Sequence, residues 1–150
     1  GAAQDQQLAE PLAVGDRLVD GGAHGGQPAA ADDQHQIRTV RDLRYRYIRN
    51  FTPEVPLMAP NQYKEQQYPV WNLIKELHAQ GKLSPVQDAL CQPRLPDEEL
   101  YDLDQDPYEI HNLAASAQPE HQEALKRLRG VLEKWIADTR DHGALPEAKP

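Results

Sequence analysis

Residues 98–114 read EELYDLDQDPYEIHNLA, and this stretch holds the local patterns that decide the fold. Its first part, ELYDL at 99–103, sets apolar side chains between acidic ones, as in a short strand. Asp106, Pro107 and Glu109 then follow in the order of a helix N-cap, a first helical position and a third position. The stretch therefore predicts a strand, a tight acidic turn and the start of a helix.

Two further runs with strand character lie upstream of this stretch. Residues 37–41 (IRTVR) and 44–50 (RYRYIRN) are rich in β-branched and aromatic side chains, and Asp42-Leu43 separates them. This pattern predicts a β-hairpin. Three prolines between positions 53 and 60 then interrupt regular structure, because proline donates no backbone hydrogen bond.

Helical spacing appears after the prolines. Apolar residues recur at that spacing between Val70 and Leu77, with Gly81 as a C-terminal stop. Ser84-Pro85 has the cap and first-turn residues of a second, shorter helix that ends near residue 90.

The strongest helical pattern runs from residue 119 to about residue 141. One face carries the large apolar side chains Leu125, Leu128, Leu132, Trp135 and Ile136. Barely two heptads are present, so packing on a sheet within one chain is favoured over a dimer seam. The order strand, strand, helix, strand, long helix predicts an α+β fold, a small antiparallel sheet covered by helices that include this long amphipathic one.

The ends of the chain differ in composition from its middle. Residues 1–31 are rich in Gly, Ala, Gln and Asp, which predicts a disordered low-complexity tail or linker, with a strand remnant at 16–19. Residues 144–150 are expected to be a disordered tail, which leaves 32–143 as the folded subdomain. Only 39% of residues are hydrophobic and 13 are proline, so the compact part is expected to be smaller than the whole chain.

Charge and cysteine content narrow the classes of function. A net charge of −8, from 24 acidic and 16 basic residues, disfavours nucleic acid and anionic membranes as partners. No apolar run approaches the roughly 20 residues that a membrane-spanning helix needs. Cys91 is the only cysteine, which rules out an internal disulfide and leaves the cellular compartment open.

The hairpin motif and the 98–114 motif together resemble the C-terminal subdomain of sulfatases, members of the alkaline-phosphatase-like superfamily, and especially bacterial arylsulfatases and heparan N-sulfatase-like enzymes. RYRYI at 44–48 is similar to their strand motif R-Y-K-Y-I, with Arg in place of Lys. The family motif E-L-Y-D-L-x-x-D-P-x-E-x-x-N-L is matched by Glu99, Leu100, Tyr101, Asp102, Leu103, Asp106, Pro107, Glu109, Asn112 and Leu113. The resemblance runs from about residue 33 to residue 142.

The resemblance implies a parent enzyme that hydrolyses sulfuric esters. Its N-terminal catalytic domain would carry a C-x-P-S-R motif, whose oxidised residue is formylglycine, and a calcium ion. Neither is expected in this chain: CQPRL at 91–95 has Arg one position early and Leu where Arg should stand. The resemblance therefore implies no catalytic residue, no metal ligand and no cofactor here, and a fragment that is inactive alone.

The same resemblance implies two partners and a candidate site. The partners are the missing N-terminal catalytic domain and, for the parent, a sulfated carbohydrate or aryl sulfate substrate. Asp33 and His35 are candidate substrate-binding residues, because the polar stretch before the hairpin lies near the substrate pocket in related sulfatases. A solvent-exposed loop is the simpler interpretation of these two residues. A free-standing interaction module derived from the subdomain is the alternative function.

Two other patterns favour ordinary structural roles. Asp102-x-Asp104-x-Asp106 imitates a calcium loop, but Pro107 and Leu113 stand where such a loop needs Gly and Glu. Turn formation and capping are therefore favoured. Six histidines are scattered without paired metal-ligand spacing.

The arginines of residues 38–49 alternate with tyrosines, as in strands that bind single-stranded nucleic acid. Carboxylates such as Glu98, Glu99 and Asp102 are the favoured partners for these arginines.

Overall fold

A computed structural model of the chain describes residues 35–142 and the backbone of one strand before them. Its strands are β1 (Ala13–Asp16), β2 (Ile37–Arg41), β3 (Tyr45–Asn50) and β4 (Glu98–Asp102). Its helices are α1 (Gln62–Gln67), α2 (Pro69–Ala79), α3 (Pro85–Asp88), which continues as a 3-10 turn (Ala89–Cys91), and α4 (Pro119–Thr139). The predicted α+β class is confirmed. Most of the predicted tails, and with them Asp33, lie outside the described residues.

The four strands form one sheet in the order β1-β2-β3-β4. β1 runs antiparallel to β2, with Ala13 opposite Arg41. This strand lies within the predicted tail and overlaps the predicted strand remnant at 16–19 only at its last residue. The boundary at residue 31 stays a prediction.

The predicted hairpin is confirmed and closes between β2 and β3. The Asp42 carboxylate accepts the backbone N–H groups of Arg44 and Tyr45, at 2.8 and 2.6 Å. A short acidic side chain that bonds its own following backbone is a common way to make a tight turn. β4 pairs with the other edge of β3: the N–H of Leu103 donates to the carbonyl of Arg44 over 2.7 Å.

The described residues divide into two compact units. Residues 13–16, 38–48 and 99–140 form the first, called the sheet unit here. Residues 35–37, 49–98 and 141–142 form the second, called the helical unit.

The sheet unit has a closed apolar core between its strands and α4. The core side chains are Val40, Tyr45, Tyr47, Leu100, Ala124, Leu125, Leu128 and Leu132. Trp135 and Ile136 pack against this core and are partly buried, so the apolar face predicted for the last helix is confirmed. Packing of this kind, rather than intrinsic helix propensity, supplies most of a helix's stability in a protein.

The helices of the helical unit are short and only partly buried. None of its helices α1, α2 and α3 contains a buried residue. In α2 the half-buried side chains are Trp71, Ile74 and Leu77, whereas Val70 and Leu73 are exposed. The predicted helix is confirmed, but only part of its apolar set faces inward.

Local signals explain the ends of the short helices. Gly81, predicted as a stop, has φ +64°, a left-handed conformation that favours glycine. The Ser84 side chain caps α3 and forms a capping box with Gln87, as its sequence predicts. Helix α1 was not predicted; its cap is the Asn61 side chain, which accepts the N–H of Lys64 over 2.9 Å.

The helix predicted to start at Asp106 does not form, and that prediction is wrong. Asp106 Oδ2 instead accepts the N–H groups of Ile110 and His111, both at 2.7 Å, which closes a wider turn. Glu109 has φ +54°, a conformation that ends a right-handed helix. Asp106 thus accepts backbone N–H groups as a turn residue and not as a helix cap.

No helix in the part of the chain that the structure describes has the length and apolar character required to span a membrane.

Candidate functional site

The hairpin motif is joined to the 98–114 motif by ion pairs. Arg44 Nη2 and Nε donate to the same oxygen of Asp102, at 2.7 and 3.1 Å, and Nη1 donates to Glu120 at 2.5 Å. The hydrogen bond from Arg44 is the main cause of the lowered pKa of the buried Asp102 carboxyl. The same bond raises the pKa of Arg44.

The next arginines of the run are also paired with carboxylates. Arg46 Nη1 donates to both carboxylate oxygens of Glu109, at 2.7 and 3.0 Å. Arg49 lies 3.0 Å from Glu98. Two of the predicted carboxylate partners, Glu98 and Asp102, are therefore confirmed, and Glu109 and Glu120 are added to them. These contacts stabilise the fold. They also account for the basic residues of the hairpin, with no ligand required.

The end of the 98–114 motif folds back on its own strand. Asn112 Oδ1 accepts the N–H groups of Leu100 and Ala114, at 3.1 and 2.9 Å. The N–H of Leu113 donates to the carbonyl of Leu100 over 2.8 Å. The backbone of the fully buried Leu100 is thus bonded on both sides, and the motif residues hold β4 in place.

The three aspartates with calcium-like spacing have structural roles. Asp102 pairs with Arg44 and also accepts the N–H of Asp104 over 3.2 Å, while Asp106 closes its own turn. Among the described residues, no group of three His, Cys, Asp or Glu side chains could hold a metal ion. The calcium that the resemblance implies for the parent therefore does not fit the residues that the structure describes.

Cys91 lies in the stretch that only partly matches the formylglycine motif. It lies half-buried at the end of the 3-10 turn, with Sγ 3.7 Å from the sulfur of Met58. Burial, with a smaller contribution from Asp88, raises the pKa of its thiol. A raised pKa keeps the thiol protonated, whereas the thiolate is the nucleophile.

His35, one of the two predicted substrate-binding residues, lies in the helical unit and is half-buried. Its Nδ1 atom is buried and has no hydrogen-bond partner among the described residues. Burial, followed by the nearby positive charge of Lys64, lowers the pKa of the imidazole. The structure thus places His35 beside a cation; its role in binding stays a prediction.

Two residues that the sequence reasoning did not single out lie in the same unit. Lys64 Nζ sits 4.8 Å from the ring centroid of Trp71, within cation–π distance. Trp71 Nε1 is buried and, like His35 Nδ1, has no hydrogen-bond partner in the described part of the chain. The sequence signal was the aromatic-rich stretch YKEQQYPVW at 63–71, in which Trp71 was assigned only to the apolar positions of a helix.

The junction of α1 and α2 holds these side chains in position. Lys75 forms a 2.7 Å ion pair with Glu65, and Asn72 donates to the Glu65 carbonyl at 2.7 Å. Tyr63 and Tyr68 meet edge to face, with ring centroids 5.9 Å apart, and both are about half exposed, at 58% and 48%. We call the set His35, Tyr63, Lys64, Tyr68 and Trp71 the aromatic corner.

The aromatic corner has the chemistry of a binding site rather than a catalytic one. It combines one cation, two buried ring nitrogens and exposed aromatic faces. Sites that bind small polar molecules usually pair apolar walls with a few placed polar groups in this way.

Comparison with known proteins adds an independent line of evidence. No protein-family model matches the chain. An ulvan-active sulfatase of Formosa agariphila is 39% identical over 81% of this chain and 20% of its own length. A second ulvan-active sulfatase of that organism is 32% identical over 66% of this chain and 17% of its own length.

The chain thus spans about a fifth of the length of the curated relatives it matches. The resemblance predicted from the two interlocked motifs is confirmed, and the chain is homologous to one segment of the sulfatases.

Proposed function

We propose that this chain is the C-terminal subdomain of a sulfuric ester hydrolase, which packs on a catalytic domain, lines one side of its substrate cleft and is inactive alone. The observation that carries the proposal is the set of exposed aliphatic side chains on the helical unit. Homology to one segment of sulfatases supports the same assignment.

The exposed aliphatic side chains follow helical spacing. Val70 and Leu73 of α2 are 58% and 50% exposed, three positions apart. Val86 and Leu90, which are 52% and 41% exposed, lie four positions apart in α3 and the turn after it. Residues three and four apart share a helix face, so each pair presents an apolar strip to the surroundings.

Apolar side chains in such numbers favour an interaction surface. Full burial of one Val or Leu side chain is worth about 1.5–3 kcal/mol, so four half-exposed ones leave a substantial stabilisation to be gained by docking. Groups of exposed apolar residues mark interaction sites in soluble proteins. A catalytic domain covering this surface would supply the core that α1, α2 and α3 lack.

Inactivity of the isolated chain is supported by the state of its candidate groups. Asp102, Glu109 and Glu120 pair with arginines, and the thiol of Cys91 has a raised pKa. A sulfatase needs an activated nucleophile and electrostatic stabilisation of the sulfate. The described side chains offer neither arrangement, so catalysis is assigned to the rest of the enzyme.

The substrate class proposed for the parent is a sulfated polysaccharide. Both relatives carry the name ulvan-active sulfatase, which joins a sulfatase activity to ulvan. The proposal extends to this chain only the class, a sulfate ester on a sugar. Release of sulfate from ulvan, measured by ion chromatography, is therefore the assay of choice.

A segment exchange tests the proposed function. In the 39%-identical relative, the matched segment is replaced by this chain, and a second protein has that segment deleted. We expect sulfate release by the exchange protein and none by the deletion protein or by this chain alone. An exchange protein that unfolds cooperatively but is no more active than the deletion protein would overturn the proposal, as would sulfate release by the isolated chain.

A matched pair of substitutions tests the docking surface. Leu73→Gln in the exchange protein is expected to reduce activity and thermal stability, because it places an amide in the proposed interface. Leu43→Gln is the control, because Leu43 is 62% exposed and belongs to the sheet unit. Equal effects of the two substitutions would contradict docking through α2.

The alternative function is a free-standing binding module. It is favoured by the closed core of the sheet unit, in which Leu128 and Leu100 are fully buried. A free-standing module would show one cooperative unfolding transition and would not bind a dye that reports exposed apolar surface. A subdomain separated from its partner would bind the dye in the native state.

A further inference from the structure

We propose that the aromatic corner is a binding site for a sulfate group on a sugar, with Lys64 as the charged contact and Trp71 Nε1 and His35 as hydrogen-bonding groups. This inference rests on the proposed function, because it assigns part of the substrate contact to this subdomain. It adds Lys64 and Trp71 to a site for which the sequence offered only Asp33 and His35.

The charge of Lys64 is the first feature of the site. Two other described lysines have carboxylate partners: Lys75 pairs with Glu65 and Lys134 with Asp138, each at 2.7 Å. Among the described residues, the Lys64 ammonium lies over the Trp71 ring, and its positive charge acts on His35. In a chain of net charge −8, a cation with this environment is available to an external anion.

Two buried ring nitrogens are the second feature of the site. The indole N–H of Trp71 can only donate, and its burial without an acceptor destabilises the folded chain. His35 Nδ1 is buried beside the same cation and is also without an acceptor or donor among the described residues. A sulfate oxygen would provide the acceptor that Trp71 lacks and the negative charge that Lys64 lacks. One group thus accounts for both observations.

Two exposed tyrosine rings are the third feature of the site. Tyr63 and Tyr68 are exposed and perpendicular, so they present an edge and a face within 5.9 Å of each other. Aromatic rings offer large, rigid apolar area together with a polar tip. The C–H faces of a pyranose ring suit such a surface, which favours a sulfate carried by a sugar over a free inorganic ion.

Nuclear magnetic resonance of the full chain tests the site directly. The chain contains two tryptophans, so the indole N–H signal of Trp135 in α4 serves as an internal control for that of Trp71. Sodium sulfate is titrated against sodium chloride at equal ionic strength. A sulfated, uronate-containing oligosaccharide is compared with its chemically desulfated form. We expect a saturable shift of the Trp71 signal with sulfate and with the sulfated sugar, and none for Trp135.

Two substitutions separate the parts of the site. Lys64→Gln removes the cation and is expected to weaken binding of the sulfated sugar by about tenfold or more, as for a lost charged hydrogen bond. Trp71→Phe keeps a ring but removes the N–H, and we expect several-fold weaker binding, followed on backbone signals. Lys82→Gln is the control, because Lys82 is an exposed lysine of the same unit, and we expect it to leave the affinity unchanged.

Several outcomes would overturn the inference. If sodium chloride shifts the Trp71 signal as much as sodium sulfate does, the shift reports ionic screening and not sulfate binding. Equal weakening by Lys64→Gln and Lys82→Gln would show attraction by overall charge instead of a site. Equal affinity for the desulfated sugar would assign the contact to the uronate carboxylate and overturn the sulfate assignment.

The inference and the proposed function can fail separately. An active exchange protein whose turnover and KM for ulvan are unaffected by Lys64→Gln would sink the inference and leave the proposed function standing. If sulfate binds at Trp71 but the exchange protein is folded and inactive, the proposed function fails and the binding site stands.

Discussion

Arg46 Nη1 binds both carboxylate oxygens of Glu109, at 2.7 and 3.0 Å, across 63 positions of sequence. The two side chains are about three-quarters buried, with 22% and 24% of their area exposed. Glu109 is held with φ +54° at this contact, where a local helix signal predicts continued right-handed turns. The contact therefore replaces a helix start by a turn that returns the chain to β4.

Two substitutions at Glu109 separate the ion pair from the backbone conformation. Glu109→Ala and Glu109→Gly both remove the bond to Arg46, but only glycine adopts φ +54° without steric cost. We expect Glu109→Ala to lower the free energy of unfolding by about 2 kcal/mol and Glu109→Gly by about 1 kcal/mol less than that. Urea unfolding monitored by circular dichroism gives both values. A glycine variant less stable than the alanine variant would contradict the proposed strain.

Acid is expected to unfold the sheet unit through Asp102 and Asp42. The pKa of Asp102 is lowered chiefly by the bond from Arg44. Burial raises the pKa of Asp42, but the backbone N–H of Tyr45 and the side chain of Arg127 outweigh burial and lower it.

A carboxyl whose folded pKa lies below its unfolded pKa of about 3.9 stabilises the fold above that value. This stabilisation is lost as the pH falls through the lower, folded pKa. We therefore expect the free energy of unfolding to fall with pH below about pH 4, and Asp102→Asn to flatten that dependence. Asp104→Asn is the control at an exposed neighbour, and an equal flattening by it would count against the assignment.

His35 is expected to contribute in a different pH window. Its folded pKa is lowered, first by burial and then by Lys64, so protonation favours the unfolded chain. The stability that neutral His35 contributes is complete above its unfolded pKa of about 6.5 and is lost as the pH falls through the lower folded pKa. His35→Gln should therefore reduce the loss of stability as the pH falls below about 6.5, and His142→Gln, at an exposed position, is the control. A wild-type stability that rises on acidification through this window would contradict the burial of His35.

Asn112 is expected to stabilise β4 through its acceptor oxygen. Asn112→Ala leaves the N–H of the buried Leu100 without the Oδ1 partner, which costs about 1–3 kcal/mol. Asn112→Asp retains an acceptor and should lose less. Asn72→Ala is the matched control, because that amide bonds an exposed carbonyl and should change stability by less than about 0.5 kcal/mol. Thermal unfolding of the three variants ranks the effects, and an alanine variant as stable as the aspartate variant would contradict the role of the acceptor.

The hairpin and the last helix could be predicted from sequence because their signals are local and agree with their environment. The alternating residues of 45–50 suit a strand whose Tyr45 and Tyr47 enter the core, and Leu125, Leu128 and Leu132 repeat at the spacing of one helix face. The start of α3 followed for the same reason, since a capping serine and a first-turn proline act within one turn.

The candidate site could be predicted only in part. His35 was proposed from its neighbourhood in the family pattern, whereas Lys64 and Trp71 come from two different helices. Their grouping depends on the angle between α1 and α2, which the Lys75–Glu65 pair and the Asn72 bond maintain. A pattern along one helix cannot report such an angle, because it depends on contacts between elements.

The stretch 98–114 by itself determined the strand, the tight turns and the resemblance to sulfatases, because each depends on neighbouring residues or on the order of motifs. Tertiary structure alone decided that Asp106 closes a turn instead of capping a helix, and that Glu109 takes a left-handed conformation. The physical reason is that the residues after Asp106 are bonded to two strands. Arg46 of β3 binds Glu109, and the carbonyl of Leu100 in β4 accepts the N–H of Leu113. These bonds outweigh a local helix preference of a few tenths to about 1 kcal/mol per residue.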